Sequence, residues 1–274
     1  MRPSIYKSQA ELRLMVQPGL ITARALSAVR AAIAPGVTTL ELDVLAEHEI
    51  RASGAEPNFM LEEGYHHTIC ASINDDVVHG IPTDRVLQAG DIVSIDCGAM
   101  LGGWNGDAAF TVVIPDAAAP ELVAERERLA SVTEQSLWAG IAALASARYL
   151  NEVGGAIEQS IENEGMFGIL EGYAGHGIGR AMHEEPSVVN YRVRERGPRV
   201  KPGLVVAIEP MVTLGSASTF VRADEWTVAT TDGSAAAHVE HSVAVHRDGI
   251  WVLTAVDGGA AGLARYGVIP VPIG

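Results

Sequence analysis

The sequence is poor in cysteine and in positive charge. Only two of its 274 residues are cysteines, Cys70 and Cys97, which is too few for a disulfide framework and favours a reducing compartment. Lysine and arginine together number 19 against 34 acidic residues, which gives a net charge of −15. This balance argues against a nucleic-acid partner and against polybasic attachment to a membrane.

Long apolar runs are also missing. No stretch approaches the roughly 18 consecutive apolar residues of a membrane span. The first residues carry scattered charges without the apolar core of a signal peptide. The composition, 48% hydrophobic and 19% charged, is that of an ordinary globular chain. We therefore expect a cytoplasmic protein without a membrane partner, and nothing in the sequence demands more than a monomer.

Helical patterns and strand patterns alternate twice along the chain. Two helices are predicted before residue 55, the first with Ser8 as its N-cap and the second with a threonine cap. Residues 68 to 114 have strand character, Pro120 opens a further helical block, and strand-and-turn chemistry returns after residue 170. This order predicts an α/β (α+β) chain, a single catalytic domain spanning 1–274 built of two similar halves.

Two segments, 79–96 and 183–209, share an order of residues. Each begins with His-x-x-Pro, and each places a glycine six positions before an acid at the end of an apolar strand pattern. A second acid follows on a later strand in both cases. An internal duplication is the simplest account, with halves of roughly 7–114 and 120–254. The matched residues are His79, Gly90, Asp96 and Asp107 in the first half and His183, Gly203, Glu209 and Glu240 in the second.

Two halves related by a pseudo-twofold axis would bring the four acids to a common centre. Four buried carboxylates repel one another strongly unless cations join them, and two divalent ions would balance their charge. Such ions also lower the pKa of bound water towards neutrality. His176, in "GHGIGRAMHEEP", is the expected nitrogen ligand, because the glycines around it suit a backbone that approaches a metal or substrate closely. His79 and His183 are expected to hydrogen-bond the substrate.

Other assignments of these residues are weaker. His238 and His241 flank Glu240 and are expected to point away from the acids, because neighbouring strand residues alternate faces. A Ser-His-Asp hydrolase lacks its Gly-x-Ser-x-Gly elbow here. A cysteine nucleophile could be Cys70 or Cys97, although Cys97 should face the opposite side of its strand from the acid before it.

Several motifs, in order, resemble those of the type I methionine aminopeptidases. They include "INDDVVHGIP", "SIDCGA", "GDAAFT", "GHGIGRAMHEEP" and "AIEPM", and the resemblance runs from about residue 7 to residue 254. It implies the pita-bread fold, in which helices cover a curved, mostly antiparallel sheet with a dinuclear metal site at its centre. It also implies removal of the initiator methionine from nascent polypeptides whose second residue is small. The enzyme would contact these chains transiently at the ribosome.

The resemblance also implies a role for each site residue. Asp96 would hold one metal. Asp107 and Glu240 would bridge both metals, and His176 and Glu209 would complete the second. A bridging hydroxide attacks the scissile carbonyl and Glu209 carries its proton, while His79 contacts the scissile amide and His183 stabilises the oxyanion. Manganese, iron, cobalt or zinc would all suit these ligands.

The methionine side-chain pocket is implied by the same resemblance. Its walls would be Tyr65, Cys70, Met182 and Trp226, a mixture of aromatic rings and sulfur that suits a thioether. Three positions depart from the common family pattern. Met182 replaces a phenylalanine, Asn105 replaces a histidine that is not a ligand, and His66 replaces a proline at the rim of the pocket.

Two rival functions share this fold. Xaa-Pro aminopeptidases and prolidases use the same five metal ligands but usually carry a sizeable extra N-terminal domain, and the first ligand here is already residue 96. A metal-free binding protein of the same fold is the second rival. Such proteins lose metal ligands, whereas all five stand in this sequence.

Overall fold

The computed structural model describes residues 4–274. Within this range five α-helices form: α1 (Gln9–Ala32), α2 (Thr39–Ala52), α3 (Pro120–Leu144), α4 (Glu152–Glu164) and α5 (Ala260–Leu263). Short 3₁₀ helices cover Phe59–Leu61 and Ala264–Tyr266. The strands are β1 (Glu56–Pro57), β2 (Ile69–Ile73), β3 (Asp76–Val78), β4 (Ile92–Leu101), β5 (Trp104–Val113), β6 (Gly168–Ile169), β7 (Gly175–Gly177), β8 (Glu184–Val188), β9 (Val205–Ile208), β10 (Met211–Thr213), β11 (Thr219–Val221), β12 (Val228–Thr230), β13 (Ala236–His238), β14 (Glu240–His246) and β15 (Gly249–Val252).

Capping boxes begin the first two helices. The Ser8 hydroxyl accepts a hydrogen bond from the backbone N–H of Glu11, and the Glu11 carboxylate accepts one from the backbone N–H of Ser8. Thr38 and Glu41 form the same reciprocal pair at the start of α2. Each box satisfies backbone donors that lack a partner in the first helical turn. The predicted serine and threonine caps are therefore confirmed.

A nine-stranded antiparallel sheet forms the centre of the molecule. Its main path runs β1-β4-β5-β14-β9-β7-β8, with β2 pairing to β4 and β15 pairing to β14. The halves of the chain meet where β5 pairs with β14. Helices α1 and α3 pack against one face of these central strands, which leaves the opposite face for the acids.

Each half of the sheet has its own apolar core. Residues of α1, α2, β2, β4 and β5 form one buried cluster, and residues of α3, α4, β9 and β14 form the larger part of another. Two helix pairs thus cover one curved antiparallel sheet, and the predicted pita-bread fold is confirmed. The boundaries of the repeat, 7–114 and 120–254, stay a prediction.

Candidate metal centre and active site

Three adjacent strands place three acids on one face of the sheet. Ala109 on β5 is the register partner of Asp96 on β4 and also of Glu240 on β14. Asp107 lies two residues before Ala109 and therefore points to the same side of β5. Asp96, Asp107 and Glu240 thus converge although their strands come from both halves of the chain.

A histidine and a fourth acid complete the cluster from β7 and from the end of β9. Nε2 of His176 lies 3.5 Å from Glu209 Oε1 and 4.0 Å from Asp107 Oδ2. Its Nδ1 donates to the Gly177 carbonyl oxygen at 2.9 Å, which fixes the tautomer and leaves the Nε2 lone pair facing the acids. Ligand atoms of Asp107, His176 and Glu240 lie within 4.8 Å of one another, as metal binding requires.

The glycines beside His176 serve the sheet and not the site directly. A Cβ atom at Gly175 would collide with the Ala207 carbonyl oxygen on β9, and one at Gly177 would collide with the Glu185 carbonyl oxygen on β8. The close backbone approach expected here is therefore to neighbouring strands. The expectation named a metal or substrate as the group that this backbone approaches, and that part of it was wrong.

Burial makes the three strand acids costly without a cation. It is the largest cause that raises the pKa of Asp107 and Glu240 well above the usual carboxyl range, and mutual repulsion adds to it. Burial also raises the pKa of Asp96 to about 7. Asp96 Oδ1, Asp107 Oδ1 and Glu240 Oε1 are buried without a hydrogen-bond partner among residues 4–274. Unpaired buried carboxylate oxygens that face one another are the donor set of a hard or borderline divalent metal, so these residues fit one.

Glu209 has a different environment because histidines surround it. Burial opposes its ionisation, but His238 and His176 outweigh burial and hold the pKa of Glu209 below its usual range. Nε2 of His238 lies 3.6 Å from Glu209 Oε2. The prediction that His238 points away was wrong: it is two residues from Glu240, and a period of two puts both on the same side. His241 does point away, and its Nδ1 lies 2.8 Å from Thr254 Oγ1.

The two repeat histidines, His79 and His183, stand beside the acids. The His183 ring centroid is 4.5 Å from that of His176, and both His79 and His183 line the same cavity as the acids. Burial lowers the pKa of each, so both are neutral at neutral pH and each can donate one hydrogen bond. His79 adopts a left-handed backbone conformation with a φ of 59°, a strained geometry that is common at functional sites.

An apolar pocket adjoins the acids in a cavity of about 160 Å³. The Tyr65 ring packs edge-on against Trp226 at 5.0 Å between centroids, and its hydroxyl donates to the Ile69 carbonyl oxygen at 2.7 Å. Cys70 and Met182 complete the predicted wall. Burial raises the pKa of the Cys70 thiol, which disfavours the thiolate that a nucleophile needs. Cys97 lies in the helix-covered core on the other side of β4, as predicted.

Two cavity residues were not found from the sequence. Phe59, in the first 3₁₀ helix, packs against Tyr65 with 6.3 Å between ring centroids. Glu62 follows that helix and lies 4.0 Å from Nδ1 of His183. Both belong to a connecting segment without helical or strand periodicity, and their only signal was their proximity to Tyr65 in the chain.

A cluster of carboxylates and one imidazole, flanked by neutral histidines and an apolar side pocket, defines a metal-dependent hydrolase. The model of metallopeptidase family M24 matches residues 13–247, and the chain belongs to this family. The chain is 50% identical over 254 residues to methionine aminopeptidase 1 of Mycobacterium tuberculosis, an alignment that covers 90% of this chain and 94% of the relative. The resemblance inferred from the motifs is confirmed.

Solved structures give the same result for the fold. A crystal structure of methionine aminopeptidase from Rickettsia prowazekii superposes with a TM-score of 0.84 at 34% identity, covering 91% of this chain and 99% of the other. The prolidase from Pyrococcus furiosus reaches a TM-score of 0.69 at 20% identity and is covered over only 66% of its length. The second likeness shows a shared fold alone. Among the described residues, no helix is both long and apolar enough to cross a membrane.

Proposed function

We propose that the protein removes the N-terminal methionine of peptides and nascent polypeptides whose second residue is small. The observation that carries this proposal is a single cavity in which the five predicted metal ligands adjoin an apolar pocket with aromatic and sulfur walls. Such a pocket suits a thioether side chain. A free amino terminus next to the acids would limit cleavage to the first residue.

Two divalent ions would sit in the cluster. Asp96 would hold one, Asp107 and Glu240 would bridge both, and His176 and Glu209 would complete the second. When bound, such ions act as Lewis acids and lower the pKa of water, whichever of manganese, iron, cobalt or zinc is present.

The remaining steps belong to side chains of the chain itself. Glu209, ionised because His238 and His176 face it, would accept a proton and pass it to the leaving amine. His183 would donate a hydrogen bond to the carbonyl oxygen as negative charge develops there. His79 would hold the scissile amide in line with the acids, and the rings of Tyr65 and Trp226 would fix the methionine side chain.

We also propose a cellular setting. A peptidase that acts on new amino termini would work in the cytoplasm, in transient contact with chains leaving the ribosome. A monomer suffices for this chemistry, since both halves of the centre come from one chain.

A kinetic panel tests the proposal. Purified protein would be stripped with a chelator, reloaded with one defined metal at a time and assayed on Met-X-Gln peptides with X varied from Gly to Leu. We expect cleavage only with metal, fastest for Gly and Ala. Unchanged activity after chelation, or equal rates for Met-Gly and Met-Leu peptides, would contradict the proposal.

The same preparations separate the rivals. A prolidase-like enzyme would cleave Xaa-Pro peptides in preference to Met-Ala peptides. A binding protein without metal would show neither activity nor stoichiometric metal by elemental analysis.

A further inference from the structure

Five carboxylates line the cavity, and one of them has no place in the proposed metal centre. The four convergent acids would be balanced by metal ions, whereas the fifth, Glu62, lies towards the mouth of the cavity. We propose, on the basis of the proposed function, that Glu62 determines specificity by favouring substrates with lysine or arginine at the third residue, the second position after the scissile bond.

The backbone holds Glu62 in a fixed place. Its N–H donates to the Phe59 carbonyl oxygen at 3.0 Å, and its own carbonyl oxygen accepts from the Tyr65 N–H at 3.2 Å. Gly64 supplies the left-handed conformation of this turn with a φ of 86°. The turn that positions Tyr65 in the methionine pocket thus positions Glu62 as well, so both side chains keep a constant geometry relative to the substrate.

The Glu62 carboxylate is close to the site and accessible. Its Oε1 lies 4.0 Å from Nδ1 of His183, and its side chain is 46% exposed. Among residues 4–274, no lysine or arginine nitrogen pairs with this carboxylate, and no lysine or arginine lines the cavity. At 4.0 Å the His183 nitrogen is beyond hydrogen-bond distance and leaves the Glu62 carboxylate accessible. A negative charge at the mouth is therefore free to pair with a cation from outside.

The distance along an extended substrate determines which of its residues lies near Glu62. In the proposed pose His183 faces the scissile carbonyl, and the small second residue leaves the mouth uncovered. Consecutive residues of an extended chain lie about 3.3–3.6 Å apart. The third residue therefore passes near Glu62, and a lysine or arginine stem is long enough to bring its charge to the carboxylate while the head stays hydrated.

The expected effect is modest because Glu62 is half-exposed. Pairs of this kind change binding by roughly two- to fivefold, and salt weakens them. We therefore expect kcat/KM to fall in the order Met-Ala-Lys, Met-Ala-Gln, Met-Ala-Glu within tetrapeptides that share a neutral amidated fourth residue. The spread should shrink when the ionic strength rises from about 0.05 M to 0.5 M.

The test compares E62Q and E62K with the wild type. We expect E62Q to bring the Lys/Glu ratio of kcat/KM close to one and E62K to reverse it. E63Q is the matched control, because Glu63 is the adjacent exposed acid and does not line the cavity; it should keep the wild-type ratio. The ratio is internal to each variant, so partial misfolding does not alter it.

Two outcomes would overturn the inference. The wild-type enzyme could treat the three peptides alike, or E62Q could lower all three values equally, which would mean that Glu62 acts through His183 and not on substrate charge. Failure of the proposed function is distinguishable, since the wild type would then not cleave Met-Ala-Gln at all.

Discussion

The four acids of the centre have two different electrostatic environments. Asp96 and Asp107, from the first half, and Glu240, from the second, have pKa values raised chiefly by burial, and each leaves a carboxylate oxygen without a hydrogen-bond partner in the described chain. Glu209, also from the second half, has a lowered pKa because His238 and His176 face it. The first three acids need an external cation, whereas Glu209 is partly compensated by its histidines.

This difference assigns metal binding to the acids without histidine partners and proton transfer to Glu209. A carboxylate that depends wholly on metal is committed to holding it, while one that histidines keep ionised can also exchange a proton. Removing an acid that depends on metal and removing a histidine partner of Glu209 should therefore have different consequences.

The largest effect is expected from removing a bridging acid. D107A or E240A takes away a ligand that both metals would share and leaves the remaining acids without a cation. We expect kcat/KM to fall by about a thousandfold or more, measured on Met-Ala-Gln with saturating manganese. D248A, an exposed acid at the end of the β14–β15 hairpin, is the matched control and should keep full activity. Near-normal turnover of either bridging variant at low metal would contradict the ligand assignment.

A smaller effect is expected from removing the partner of Glu209. H238A leaves all five proposed ligands in place but raises the pKa of Glu209, so both metal affinity and proton transfer weaken. We expect a loss of about 10- to 100-fold in metal affinity or kcat/KM, measured by calorimetric metal titration and by kinetics. The exposed His48 supplies the control H48A. Unchanged metal affinity together with unchanged kcat would refute a role for His238.

The acids of the first half also predict a pH dependence of stability. With pKa values raised in the folded state, the metal-free protein binds protons that the unfolded chain releases above about pH 4. The contribution of Asp96 to stability is therefore most favourable below that pH and is lost as pH rises through about 7, its pKa in the folded state. At one fixed metal concentration, metal should raise Tm more at pH 8 than at pH 5, because protons compete with metal for these acids. A concentration about a hundredfold above the Kd at pH 8 adds about 3 kcal/mol of stability at that pH. Equal increments in thermal scans at both pH values would contradict this.

The smallest effect is expected in the apolar pocket, away from the acids. M182F exchanges one flexible apolar wall of the pocket for a rigid ring of similar volume. We expect KM for methionyl peptides to change by less than about fivefold, with kcat nearly constant, because the acids are untouched. A large fall in kcat would show that Met182 positions the reacting groups and does not merely line the pocket.

The convergence of the acids was predictable because their positions follow simple rules. Matched spacing of acids in two halves and strand alternation are local properties of sequence, and register then brings Asp96, Asp107 and Glu240 to one face. The same alternation rule, correctly counted over two positions, would have found His238.

Phe59 and Glu62 could not be found in this way. They lie in a connecting segment whose course is set by tertiary packing, with Gly64 against Trp226, which is more than 160 positions further along the chain. The role of the glycines around His176 was missed for a related reason. Sequence shows that a backbone must approach something closely, but only the sheet order reveals that β8 and β9 are what it approaches.

The most direct test of the account is a crystal structure of the protein loaded with manganese, with anomalous diffraction to locate the metal. The account predicts two peaks between the strands of the two halves, each within about 2.5 Å of oxygens from Asp107 and Glu240. Peaks elsewhere, or none at saturating manganese, would contradict the claim that these buried carboxylates exist to hold cations.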